Sequence, residues 1–164
     1  MNGFREILAA ALIFTLPVKA QETKPDPDAP TVEHNVWVPM RDGANLQADI
    51  FRPKAEGNYP VLMARTPYNR TGLHGTAKKF AKAGYIVVCQ DARGRFGSEG
   101  EWESFVRFDT NDGRDGYDTV EWAAKLPGST GKVGTFGASY NAFLQWRTAA
   151  LAPPSLVCMS ADSI

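Results

Sequence analysis

Gly137-Ala138-Ser139-Tyr140 is the stretch best suited to covalent chemistry. It falls where a short apolar run, Lys132 to Phe136, gives way to a segment of helical composition, Tyr140 to Leu151. A sharp strand-to-helix turn holds its serine in a strained backbone conformation and projects the hydroxyl above the sheet, where it can attack a carbonyl. Small residues at 137 and 138 let strand and helix approach closely. The backbone N–H of Tyr140 would then point, from a helix N-terminus, to where an oxyanion forms. The same triplet also reads as a plain helix N-cap at Ser139, and the residues alone do not choose between the two.

The surrounding elements fit a turn of that kind. Val36, Val38 and Met40 alternate, as do Leu46, Ala48 and Ile50, with Asp42-Gly43 between them. That pattern predicts an antiparallel hairpin. Short apolar runs follow at Val61–Ala64, Ile86–Cys89, Lys132–Phe136 and Leu156–Met159. Helical stretches lie between them at Thr76–Ala83, Asp115–Leu126 and Tyr140–Leu151. Tyr117, Val120 and Ala124 are expected to share the buried face of the second helix, and Phe143, Trp146 and Ala150 that of the third. Strands alternating with helices predict an α/β fold with a mostly parallel sheet behind an N-terminal antiparallel hairpin. A covering helix ordinarily follows such a strand. The sequence therefore reads as the N-terminal part of a larger α/β domain, truncated after about the sixth strand.

Residues 1–20 read as a signal peptide: Arg5, an apolar run from Ile7 to Leu16, then Val18-Lys19-Ala20 as a cleavage site. The run is about half the ~20 residues of a spanning helix, so no stable membrane anchor is expected. Cleavage after Ala20 would place the protein in the periplasm or outside the cell. Residues 21–32, with Pro and Asp alternating from Pro25 to Pro30, read as a solvated linker. The domain is expected over 33–164. Lys+Arg and Asp+Glu balance at 18 each, which offers nucleic acid no basic surface. Cys89 and Cys158 lie in apolar runs and are expected to be buried.

Three further segments accompany the serine motif in order: Arg65-Thr66-Pro67-Tyr68, Asp91-Ala92-Arg93-Gly94 with Gly97-Ser98-Glu99-Gly100, and Gly116-Tyr117-Asp118-Thr119-Val120-Glu121-Trp122. Together the four motifs resemble the cocaine esterase and Xaa-Pro dipeptidyl-peptidase-like α/β-hydrolases over roughly residues 33–163. The resemblance implies the α/β-hydrolase fold, with Ser139 as nucleophile. It implies that the Tyr68 phenol and the Tyr140 backbone N–H are the two oxyanion donors. Ala142 departs from the glycine usual three residues after the nucleophile. In the order Ser, acid, His of this fold, the triad acid and histidine lie beyond residue 164. The resemblance also implies strands of Val61 and Val133 between those of Cys89 and Cys158, and hence two free thiols.

His34 and His74 both precede Ser139 and are not expected to serve as base; Asp162 reads as a turn or cap residue. Arg93 is expected to pair with Asp91 or Glu99 at the pocket rim. A phosphate loop at Gly128–Lys132 fails because Leu126 stands where glycine is needed. An EF-hand from Asp109 fails because Arg114 takes the glycine position. No Cys/His pair has zinc-motif spacing, and no metal or organic cofactor is implied. The expected function is a serine hydrolase that cleaves ester or amide bonds of a small molecule or short peptide through an acyl-enzyme. The alternative is a catalytically silent truncated fragment.

Overall fold

A computed structural model describes residues 26–102, 104 and 111–163 of the chain. The leader and the first part of the linker lie outside the described residues. Six strands and three α-helices alternate: β1 (Thr31–Pro39), β2 (Asn45–Arg52), β3 (Tyr59–Thr66), α1 (His74–Lys82), β4 (Ile86–Asp91), α2 (Asp112–Ala124), β5 (Ser129–Ala138), α3 (Tyr140–Ala149) and β6 (Leu156–Asp162). A short 3-10 turn, Arg70–Leu73, leads into α1. The strands form one sheet in the order β1-β2-β4-β3-β5-β6.

The hairpin is the expected one. Asp42-Gly43 turns the chain: Met40 N–H bonds Ala44 O at 2.8 Å, Asp42 accepts from Ala44 N–H, and Gly43 takes φ +91°. β2 runs antiparallel to both β1 and β4, whereas β3, β4, β5 and β6 are mutually parallel. This is the α/β-hydrolase arrangement. β4 is buried at every position because both its faces are covered. Val88 joins Val38, Leu46, Ile50, Met63 and Val120 in a core beneath α2. Val87 and Cys89 join Phe51, Ala77 and Ala81 in a second core beneath α1.

The helices bury the faces their apolar residues suggest only in part: Val120 of α2 is fully buried as expected and Ala124 packs against the same core, but polar residues take much of each inward face. In α3 the buried residues are Tyr140, Asn141, Ala142, Leu144, Gln145 and Thr148, while Trp146 is exposed. In α2 they include Asp115, Gly116, Thr119, Val120 and Ala123, with Tyr117 and Ala124 only half-buried. The reason is polar: each inward face carries groups that bond to the sheet. Gln145 donates to the carbonyls of Gly137 and Ser160 and accepts from Thr135. Thr119 donates to Gln90. The helix–helix crossing is tight at Gly116, where a Cβ would stand 1.8 Å from Thr148 Oγ1.

The two cysteines behave differently. Cys89 is buried, and burial, reinforced by the nearby Asp49 carboxylate, pushes its thiol up to about 12, so it stays protonated and inert. Cys158 is exposed, not buried as expected, because β6 is the sheet edge in the described residues and most of its side chains face solvent. Both thiols are free. β3 and β5 stand between their strands, and three steps of ~4.8 Å put them roughly 14 Å apart, beyond the ~7 Å that a disulfide spans. No helix among the described residues is long and apolar enough to cross a membrane.

Candidate active site

Ser139 sits at the junction of β5 and α3 with φ 58° and ψ −129°. A non-glycine residue held at positive φ costs of order 1–3 kcal/mol and persists only where its surroundings enforce it. Three contacts do so. Ser139 N–H bonds the Asp162 carbonyl of β6 at 3.0 Å. Its own carbonyl accepts from Ala142 and Phe143 as the helix begins. Gly137, at φ +138°, lies so close to α3 that a Cβ would stand 2.7 Å from Asn141 Cβ. Gly137→Ala should therefore shift α3 and destabilise the fold by about 1–3 kcal/mol, read as a lower urea midpoint. An unchanged midpoint would show that the turn is not under this constraint.

The Ser139 side chain is exposed, and its Oγ lies 3.3 Å from Tyr68 Oη. Tyr68 is itself 59% exposed, so the ring is not placed by burial. Its backbone is strapped instead. Tyr68 N–H bonds Thr66 Oγ1, and Arg95 Nε donates to the Pro67 carbonyl at 3.0 Å. Two residues on, Arg70 is buried; its N–H bonds Asp91 Oδ1 at 2.8 Å and its guanidinium pairs with Asp91. Arg65, also buried, ties the end of β3 to Gln90 of β4 at 2.8 Å and to the Asp112 carbonyl of α2 at 2.6 Å. The Tyr140 side chain is buried in the protein. Burial, with the Asp112 carboxylate beside it, raises its phenol above the ordinary range, and the phenol donates to Asp112 Oδ2 at 3.3 Å.

The remaining motif residues brace this region. Arg93 pairs with Asp115 of α2 at 2.6 Å and with Asp42 of the hairpin turn at 3.0 Å. It does not pair with Asp91 or Glu99, because Asp91 is taken by Arg70 and Glu99 accepts from Asn45 N–H at 2.7 Å. Asp118 binds Arg41 through both oxygens. These pairs lock the β1–β2 turn and the loop after β4 to α2.

The family model described as X-Pro dipeptidyl-peptidase (S15 family) matches residues 42–164, and thus every one of these motifs. The chain belongs to the S15 family. Cocaine esterase from Rhodococcus sp. (strain MB1 Bresler) is 41% identical over 125 residues, covering 73% of this chain and 21% of that protein. Among solved structures, an α-amino acid ester hydrolase superposes with TM-score 0.70 at 30% identity, covering 88% of this chain and 28% of that one. A CocE/NonD family hydrolase from Staphylococcus aureus gives 0.71 at 31%, covering 79% and 27%. The chain thus spans only about a fifth to a quarter of the length of these S15-type relatives, which are esterases and hydrolases.

Within this S15 segment the structure brings Ser139, Tyr68 and the start of α3 together, and it takes both histidines elsewhere. His74 Nε2 lies 2.7 Å from Asp49 Oδ2, and His34 Nδ1 lies 3.4 Å from the same oxygen. Asp49 is on β2, three strands from β5. Asp162 contributes its backbone carbonyl to the turn, while its carboxylate accepts from Ser163. The supporting role of Arg70 has no signature in the sequence. A buried arginine in a loop leaves no periodic signal, and only its position two residues after Tyr68 hints at a supporting role.

Proposed function

We propose that this chain carries the nucleophile and the oxyanion-stabilising groups of a serine hydrolase. Its substrates are ester or amide bonds of small molecules or short peptides. The observation that supports this best is a serine at φ 58° between strand and helix, with a tyrosine hydroxyl 3.3 Å from its Oγ. Ser139 Oγ attacks the carbonyl carbon and its proton passes to a base. The carbonyl oxygen becomes an oxyanion, and the Tyr68 O–H and Tyr140 backbone N–H donate to it. Collapse of the tetrahedral intermediate expels the alcohol or amine, which takes up the proton, and leaves Ser139 acylated. Water then attacks the ester and releases the acid. The base is not His34 or His74, since both face Asp49. The described residues hold no other imidazole.

This chain alone, without a base for Ser139, is expected to be nearly inactive, so a fluorophosphonate probe tests this reading in protein that also carries the triad acid and histidine. Its phosphorus should become bonded to Ser139 Oγ, located by mass spectrometry of the tryptic peptide. Labelling at another serine, or none while ester turnover proceeds, would overturn the assignment.

A further inference from the structure

Three strands from the strand that leads to Ser139, two histidines and a buried aspartate converge on one point. We propose that His34, Asp49 and His74 form a binding site for Zn²⁺. The ligand atoms are His34 Nδ1, His74 Nε2 and an Asp49 carboxylate oxygen, all within 4.8 Å of one another. Ligands ~2.0–2.1 Å from a tetrahedral zinc lie roughly 3.3 Å apart. The His34–Asp49 separation of 3.4 Å already matches, and the His74–Asp49 contact of 2.7 Å must open by about half an ångström. The His34 side chain is 56% exposed, so ions reach the site from solvent and a water completes the fourth position.

The backbone builds the site. β1 carries a bulge between Glu33 and Val36, and Asn35 within it adopts φ 58°. The bulge swings His34 over β2 and lets Asn35 N–H bond Asp49 Oδ1 at 2.9 Å. Arg70 Nε stands 3.1 Å from that same oxygen. Asp49 Oδ1 is thus held by the protein and Oδ2 is turned to both imidazoles, an oriented carboxylate of the kind that outer partners create around metals. His74 begins α1 and packs edge-on against Phe51, with ring centroids 5.0 Å apart, which fixes its plane.

Charge points the same way. Asp49 and Asp91 are both essentially inaccessible, and one buried guanidinium, Arg70, serves the two carboxylates. With both imidazoles neutral, as metal ligands are, that leaves one surplus negative charge in a low-dielectric setting, which a bound cation offsets. Imidazole nitrogens select zinc and its neighbours over magnesium or calcium, which prefer oxygen ligands. No motif spacing announces the site, because its ligands come from three elements.

Equilibrium dialysis of the folded chain against Zn²⁺ alone should give one ion per chain, undisturbed by excess Mg²⁺. Co²⁺ should bind competitively and show the visible absorption of a four-coordinate site. His34→Ala, a change at a half-exposed side chain that leaves folding intact, should weaken binding by about tenfold or more, since even residues that only orient a ligand cost 10–100-fold. His74→Gln should do the same, and saturating Zn²⁺ should raise the Tm of the wild-type chain but not of His34→Ala. Ser139→Ala should bind like wild type. Folded wild-type chain that takes up no zinc, or His34→Ala binding as tightly as wild type, would overturn the proposal.

Discussion

In protein that also carries the triad acid and histidine, Ser139→Ala should lower kcat for ester hydrolysis by on the order of 10⁶, the scale on which loss of a serine nucleophile is felt when the groups around it act as one unit. The fold should not notice. The hydroxyl is exposed, and Tyr68 Oη lies 3.3 Å from it. The strained turn is held by backbone bonds that alanine keeps, from Ser139 N–H to Asp162 O and from Ala142 and Phe143 N–H to the residue 139 carbonyl. Unfolding free energy should therefore move by less than about 0.5 kcal/mol. Steady-state turnover of a p-nitrophenyl ester beside a urea titration gives both numbers. A variant that keeps more than about one percent of wild-type kcat would remove Ser139 from the mechanism, since neither binding nor the oxyanion donors alone supply that much.

Tyr68→Phe should cost about 10²–10³ in kcat, or roughly 3–4 kcal/mol, as removal of one oxyanion donor does elsewhere. The ring stays and the hydroxyl goes. Because the donor bonds more strongly to the oxyanion than to the ground-state carbonyl, kcat and kcat/KM should fall together with KM nearly unchanged. A rise in KM at constant kcat would instead make Tyr68 a substrate-contacting ring. The effect should be specific to the hydroxyl, because the loop is placed by other residues: Thr66 on the Tyr68 N–H, Arg95 on the Pro67 carbonyl, and Arg70 against Asp91.

Much of the frame was legible in the amino-acid order. Alternation at Val36–Met40 and Leu46–Ile50 around Asp42-Gly43 specified the hairpin, since side-chain period and turn chemistry are set by residues a few positions apart. The apolar runs at Val61, Ile86, Lys132 and Leu156 became β3 to β6, and the Gly137–Tyr140 motif lies at a strand-to-helix junction. Boundaries shifted by a few residues; α2 begins at Asp112, not Asp115. The position of Tyr68 opposite Ser139 was legible only through the family resemblance, as nothing in residues 65–68 announces what lies 71 positions further on.

Tertiary structure alone decided which partners the polar groups found. Arg93 has carboxylates near it in sequence at Asp91 and Glu99, yet it pairs with Asp115 and Asp42. Strand order, not chain separation, sets the distances, and a nearer carboxylate already held by Arg70 is not available. Helix α3 presents Asn141, Gln145 and Thr148 to the protein, where Gln145 donates to the carbonyls of Gly137 and Ser160, and leaves Trp146 outside. Cys158 and Cys89 occupy equally apolar runs, and only their places in the sheet separate an edge from a centre. His34, Asp49 and His74 meet for the same reason: a β-bulge, a strand and a helix start are brought to one point by the fold, and no spacing along the chain encodes a meeting of three elements.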